Sequence, residues 1–361
     1  MIPHDLDRLL ALVRPVMLVE DVTPLERPAG AVSIRGGLTR AAAEALSEID
    51  GPLRRLGYLP LLDRDGNGVV VTLLPYSPPA HRSRPVLALL LLGLTALSVL
   101  FVGGTMVQAD LESILRHPFS GWPFAVSMLT ILGAHEMGHY IVARRGHVSV
   151  SLPYFIPMPL GPLGTMGAFI NMRSVPRDRS QVLRIGMAGP LAGLVVTFVV
   201  LAYGLSTSPV GPTPVGETYF QEGNSLLYLL LKRAVLGRWL PAEGLDVMLN
   251  PVAFAGWAGL MVTGLNLIPA AQLDGGHVAF ALLGARARLL TLALAGGMVL
   301  LGFVWEGWFI WAVLVFLLGS RPHLVQDAIT PLSGRQRLAA AAVVFLAVLL
   351  FPPVPLALVQ S

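Results

Sequence analysis

Residues 131–143 read ILGAHEMGHYIVA, and His135, Glu136 and His139 among them are of the types that carry acid–base and metal chemistry. Four residues apart, His135 and His139 project from one face of a helix and can grip one ion together. Glu136, beside the first imidazole, stands where a carboxylate can take a proton from a metal-bound water. All three lie in an apolar run, where ionisable groups are costly and default to functional roles. Zinc supplies a reason for that burial, because it pairs the imidazoles and lowers the pKa of water to about 7. The bland reading, side chains bonded to neighbouring helices, is weaker in such a setting.

A catalytic zinc takes three protein ligands and keeps one open position. The chain has no cysteine, so the third ligand is a histidine or a carboxylate. Asp274, in NLIPAAQLDGGH, is the candidate and His277, one helical turn on, is the rival. Pro269 and the Gly275–Gly276 pair mark a broken helix whose irregular backbone can face a cavity. That favours Asp274 as ligand and gives His277 a supporting or structural part.

The elements that must position these groups are membrane elements. Of 361 residues 54% are hydrophobic and 13% charged, about half the charged share of a soluble chain. Apolar segments long enough to approach the roughly 20 residues of a span run over 86–107, 122–143, 183–205 and 250–269. Shorter ones cover 289–305, 308–319 and 338–351, which predicts six or seven crossings. Arg82, Arg84, Arg144, Arg145, Arg173, Arg177 and Arg179 all fall on one side of that layout, as do Arg286, Arg288, Arg321, Arg335 and Arg337. The positive-inside bias makes that side the cytosol. It also accounts for the net charge of +4, so no nucleic-acid partner is expected. The loop at 206–248 falls outside. The chain shows no internal repeat, which argues against an inverted-repeat transporter.

Ahead of the spans, residues 1–80 predict a small cytosolic α+β domain. The first twenty residues are broken by Asp7, Arg8 and Arg14 and do not read as a signal peptide. AVSIRG predicts a strand, TRAAAEALSEIDGPLRRL a helix capped by Thr39, and YLPLLDRDGNGVVVTLLP a hairpin. Asp63, Asp65, Asn67 and Gly68 echo half a calcium loop, but Leu74 stands at its twelfth position and strands flank it, so DRDGNG reads as an ordinary turn. Residues 150–172 are apolar yet hold four prolines and three glycines, which suits a re-entrant hairpin better than a spanning helix. An exposed strand around Gly164 and Gly167 could pair with an extended substrate by β-augmentation. RIGMAGPLAGLVV, with Gly186, Gly189 and Gly193, reads as close helix packing by small residues.

HEMGH in one span and NLIPAAQLDGG in a later one resemble the intramembrane zinc metalloproteases of the site-2 protease type, over roughly residues 120–285. The small cytosolic domain and GPLGTMGAFI are similar to the chloroplast and cyanobacterial branch. The resemblance implies a polytopic α-helical membrane protein whose membrane-embedded metalloprotease domain covers residues 86–356, with a three-helix catalytic core at about 120–285. It implies Zn2+ held by His135, His139 and Asp274, and Glu136 as general base. It further implies that Asn266 orients substrate or stabilises the oxyanion. The expected activity is hydrolysis of a peptide bond in or near the transmembrane helix of another membrane protein, in a lipid bilayer, expected to be a prokaryotic plasma membrane. A proteolytically inactive scaffold of the same fold is the alternative, and a transporter is further off.

Overall fold

A computed structural model describes residues 6–66, 68–77, 84–213, 218–319 and 324–360. Arg82, Arg321 and Asn67 lie outside the described residues. The N-terminal domain runs α1 (Leu6–Val13), β1 (Met17–Pro24), β2 (Val32–Leu38), α2 (Ala42–Arg55), β3 (Tyr58–Asp65) and β4 (Gly68–Pro75). Its antiparallel sheet has the order β1-β2-β4-β3. Alternate residues Ile34, Leu62, Val71 and Leu73 are buried on one face against Leu46, Ile49 and Leu53 of α2, the period of two meeting the helical repeat. α1 and β1 add to the strand–helix–hairpin unit read from the sequence. Thr39 does not cap α2: the helix starts after Ala41 without a side-chain cap, and the Thr39 hydroxyl donates to the Pro15 carbonyl at 3.4 Å. Asp65 pairs with Gly68, so strands close directly on the DRDGNG turn.

The apolar part comprises α3 (Pro85–Thr105), α4 (Leu111–Arg116), α5 (Trp122–Arg145), β5 (Tyr154–Pro157), β6 (Thr165–Phe169) and α6 (Arg179–Ser206). It continues through β7 (Val210–Pro212), β8 (Thr218–Glu222), α7 (Leu226–Leu236), β9 (Leu245–Val247), α8 (Pro251–Asn266) and α9 (Asp274–Leu283). α10 (Ala287–Leu301), α11 (Gly307–Leu318), α12 (Gly334–Leu350) and β10 (Leu356–Gln360) end it. By length and composition, three helical stretches among the described residues can cross a membrane: 85–105, 179–206 and 274–301. The chain is thus an integral membrane protein, mostly helical.

The third stretch is two legs, not one rod. Gly284 has φ +60°, and the Ala271 amide donates to Thr291 Oγ1 at 3.1 Å. In a straight helix Thr291 would stand about 25 Å beyond Asp274, so α10 must turn back beside the loop that precedes α9. α9 instead continues α8: Gly204, Gly256 and Gly259 place α8 antiparallel to α6 against Ala253, Leu201 and Thr197, and α9 passes Gly186. It ends at Arg179, whose guanidinium donates to the carbonyls of Ala281 (2.9 Å) and Leu282 (2.8 Å), closing orphan C-terminal acceptors. Residues 250–269 are therefore the first half of a broken helix, and the break at 267–273 lies at mid-height of α6.

The two parts are joined by residues 325–330. Leu62 on the β3 edge donates to the Gln326 carbonyl (2.7 Å) and accepts from the Ala328 amide (3.0 Å). The same segment reaches the start of α6 through Gln326 to Pro176 (3.0 Å) and Asp327 to Arg177 (2.8 Å). An edge strand that would otherwise template aggregation is covered in this way.

Candidate metal centre

α5 carries Pro123 in its first turn and is capped by Gly146, with Arg144 and Arg145 in its last turn, charges that suit a helix C-terminus. Its helical repeat puts His135 and His139 on the face toward α6, where both approach within van der Waals distance only because α6 offers glycines. Gly193 leaves its Cβ space to His135 (3.1 Å), a Cβ on Gly189 would fall on the His139 ring, and Gly186 makes room for His277 (2.9 Å). The small residues read from sequence as helix packing therefore shape the site itself. In return Gly138 of α5 lies against the Ala188 backbone.

Asp274 opens α9, in the first turn where a negative charge is favoured by the helix dipole. Its Oδ2 stands 3.2 Å from His135 Nε2 and its Oδ1 3.2 Å from His139 Nε2. The two Nε2 atoms are themselves 3.2 Å apart. His139 Nδ1 lies 2.8 Å from the Ile185 carbonyl; as that oxygen only accepts, Nδ1 carries a proton, which leaves Nε2 as the ring atom available to a metal. Such a backbone acceptor is the usual orienter of a metal-bound imidazole. A tetrahedral zinc with bonds of about 2.0–2.1 Å has ligand–ligand edges of about 3.3 Å. The Nε2–Nε2 spacing of 3.2 Å is close to that edge, each Nε2 has one oxygen of Asp274 at the same distance, and one ligand atom from each of the three residues lies within 4.8 Å of the others, so the residues fit the ion.

Glu136 is 5% exposed and lines the same cavity of about 300 Å³ as His135, His139 and Asp274. Asn266, the last residue of α8, lines it too, as do Gln272 and His277. His277 stays out of the ligand triangle; its Nδ1 lies 2.9 Å from the Leu273 carbonyl one turn back. Gln272 was not foreseen, and a polar residue beside a Pro-containing break was the only signal for it.

The hairpin β5–β6 forms one wall. Gly164 does not sit on an open edge, contrary to the sequence expectation. At φ +70° it packs on α3, where a Cβ would come within 2.7 Å of the Val99 Cα. Its carbonyl accepts from Ser98 Oγ (2.5 Å) and the Met158 amide (3.1 Å). Gly167, at φ +100°, donates to Thr165 Oγ1 (3.0 Å). Neither lines the cavity; Ala168, Phe169 and Ile170 do. Asn171 and Arg173 bond back to Ser151 and Ser149, so by alternation the backbone groups of Ala168 and Ile170 point away from that partner.

A His-Glu-x-x-His helix completed by an aspartate, sunk among apolar helices, defines a membrane-embedded metallopeptidase centre. Peptidase family M50 matches residues 123–304, about half of the 361 residues, and the chain belongs to that family. The match contains His135, Glu136, His139, Asp274 and the whole 267–273 break. Among curated proteins it is 33% identical over 274 residues to "Probable zinc metalloprotease EGY2, chloroplastic" of Arabidopsis thaliana, covering 73% of this chain and 48% of that protein. It is 33% identical over 253 residues to "Probable zinc metalloprotease EGY1, chloroplastic" of Oryza sativa subsp. japonica, covering 68% and 42%. The chain spans about half the length of the curated relatives it matches. The resemblance to the site-2 protease type and its chloroplast-like branch is borne out. The chloroplastic names weaken the expectation of a prokaryotic plasma membrane and leave an integral membrane location.

Proposed function

We propose that the protein is an intramembrane zinc endopeptidase that hydrolyses peptide bonds in or near transmembrane helices of membrane proteins. The observation that carries this reading is the convergence of the His135 and His139 Nε2 atoms on each other and on the Asp274 carboxylate at 3.2 Å, with Glu136 in the same cavity. Bound there, zinc would polarise a carbonyl and acidify a water. Glu136 takes the proton of the attacking water and passes it to the leaving amine. Asn266 faces the reacting carbonyl from the end of α8 and helps hold the developing oxyanion. A helical substrate must be extended before cleavage, and the outward backbone groups of Ala168 and Ile170 offer it a strand to pair with. The role first expected of Gly164 and Gly167 is thus proposed for their neighbours in β6.

The reading includes seven crossings: α3, α5, α6, the broken α8–α9, α10, α11 and α12. It places the N-terminal domain in the cytosol, on the side where Gln336 Nε2 of α12 meets Ser180 Oγ at 2.5 Å. β8 and β10, which pair with each other, lie on the opposite side. Because the chain has no cysteine, a single cysteine at exposed position 147 reports the topology, and labelling from the outside would overturn it.

The function is tested with Glu136→Gln, which removes the base and leaves the ligand triangle. Zinc content by elemental analysis should stay at wild-type stoichiometry, while cleavage of a single-span membrane peptide should drop by at least about a thousandfold. Wild-type cleavage by this variant would sink the assignment.

A further inference from the structure

The loop 267–273 must present Asn266, Gln272 and Asp274 to one cavity, yet little within it fixes its course. Ala270 donates to the Ile268 carbonyl (2.7 Å) and Leu273 to the Ala270 carbonyl (3.3 Å). Between them Ala271 has φ +53°, a left-handed conformation that L-residues adopt only at a cost and that needs outside support. Its carbonyl is pressed against Gly276, where any Cβ would collide with it. Its amide donates to Thr291 Oγ1 at 3.1 Å, and that hydroxyl donates in turn to the Ala287 carbonyl at 3.1 Å. Thr291 is buried in α10, outside the helices that carry the ligands. Ala270 and Ala271 are also buried with Ala295 and Met298 of α10 and Ala312 and Val315 of α11.

We propose that Thr291 is a positioning residue: its hydroxyl locks Ala271 in the left-handed conformation and so aims Gln272 and Asp274 into the cavity. The role assigned to Asp274 rests on the zinc-protease reading, while the lock on Ala271 does not. One hydroxyl suffices because it answers two needs at once. It satisfies a buried amide that has turned away from helical partners, and it accepts while its own proton stays on the helix. α10 thereby joins the working part of the enzyme, although it contributes no ligand.

The test uses the full chain in detergent with Thr291→Val, Thr291→Ser and the double variant Thr291→Val with Ala271→Gly. Valine keeps the shape and loses the hydroxyl; serine keeps the hydroxyl. Three quantities are read: zinc affinity by chelator competition, kcat and KM on a single-span membrane peptide, and hydrogen exchange over 268–273. The valine variant should bind zinc about tenfold more weakly and lose about tenfold or more in kcat with KM near wild type, the scale of a lost ligand-orienting partner. Its loop amides should exchange at least about tenfold faster. Serine should restore all three, and glycine at 271 should recover part of the affinity by lifting the left-handed penalty. Unchanged exchange and affinity in the valine variant, or a serine variant as impaired as valine, overturns the proposal. If wild-type protein itself binds no zinc and cleaves nothing, the functional reading fails while the exchange data still decide whether Thr291 holds the loop.

Discussion

Among the described residues, the metal centre and the 206–248 region each bury a cluster of ionisable side chains, and the two are built on opposite chemistry. At the metal centre two imidazole nitrogens and a carboxylate converge at 3.2 Å. In the 206–248 region Lys232, fully buried on α7, lies 3.4 Å from Asp246 of β9 and 4.6 Å from the Tyr228 ring. The Tyr228 hydroxyl meets Glu222 of β8 at 3.1 Å. The second cluster brings its own cation, so its charges are compensated within the chain and it ties α7, β8 and β9 together. The first brings converging lone pairs and a carboxylate with no lysine or arginine among them, a donor set that calls for a cation from outside. Burial by itself does not distinguish a structural cluster from a reactive one; the balance of donors and acceptors does.

The comparison breaks first at the ligands. His139→Ala should abolish both zinc binding and peptide hydrolysis, measured by elemental analysis and cleavage assay, because two ligands cannot hold the ion in competition with water. Gly189→Ala should come close to that effect without touching a ligand, since its methyl would occupy the place of the His139 ring. Retained zinc in that variant would show that α6 can back away and that its glycines only pack.

In the other cluster Lys232→Met should cost stability and spare chemistry. Removing one partner of a buried pair leaves Asp246 uncompensated, worth about 3–5 kcal/mol. Thermal unfolding in detergent should shift down, while zinc stoichiometry and kcat of the folded fraction stay at wild type. A drop in kcat would couple this layer to the centre and erase the distinction.

The smallest effect concerns pH. Burial raises the Glu222 carboxyl above its ordinary 4.5, and burial also lowers the Lys232 ammonium from 10.5. A carboxyl raised in the folded state binds more protons folded than unfolded between 4.5 and its raised value. Its contribution is thus present at low pH and declines as pH rises through that window. Glu222→Gln should flatten this part of the stability–pH curve, with no change in metal binding. An unaltered curve would place the acid dependence elsewhere.

How much was legible follows from what each feature depends on. The His135–Glu136–His139 spacing lies within one helical turn, so three residues and the helical repeat contain it. The apolar segments at 86–107, 122–143 and 183–205 match the helices α3, α5 and α6 in extent, and α3 and α6 are long and apolar enough to cross a membrane, because apolar length is a local property. The hairpin at 150–172 was readable from its prolines and glycines, although the strand face toward the cavity was not. Its alternation is set by Ser149 and Ser151 pairing with Arg173 and Asn171, which shifts the outward backbone groups to Ala168 and Ile170.

Sequence alone determined the membrane class and singled out His135, Glu136, His139 and Asp274 as candidates, because these rest on composition and on short spacings. Only the tertiary structure decided that Asp274 reaches both histidines across the α5–α9 interface, that Gly189 and Gly193 clear the space for their rings, and that Gly164 packs on α3. It also made the fourth segment a broken helix continued by α9, with α10 folded back to hold the break. Those facts depend on which surfaces meet between residues far apart in the chain, and no local pattern encodes the depth at which two helices touch.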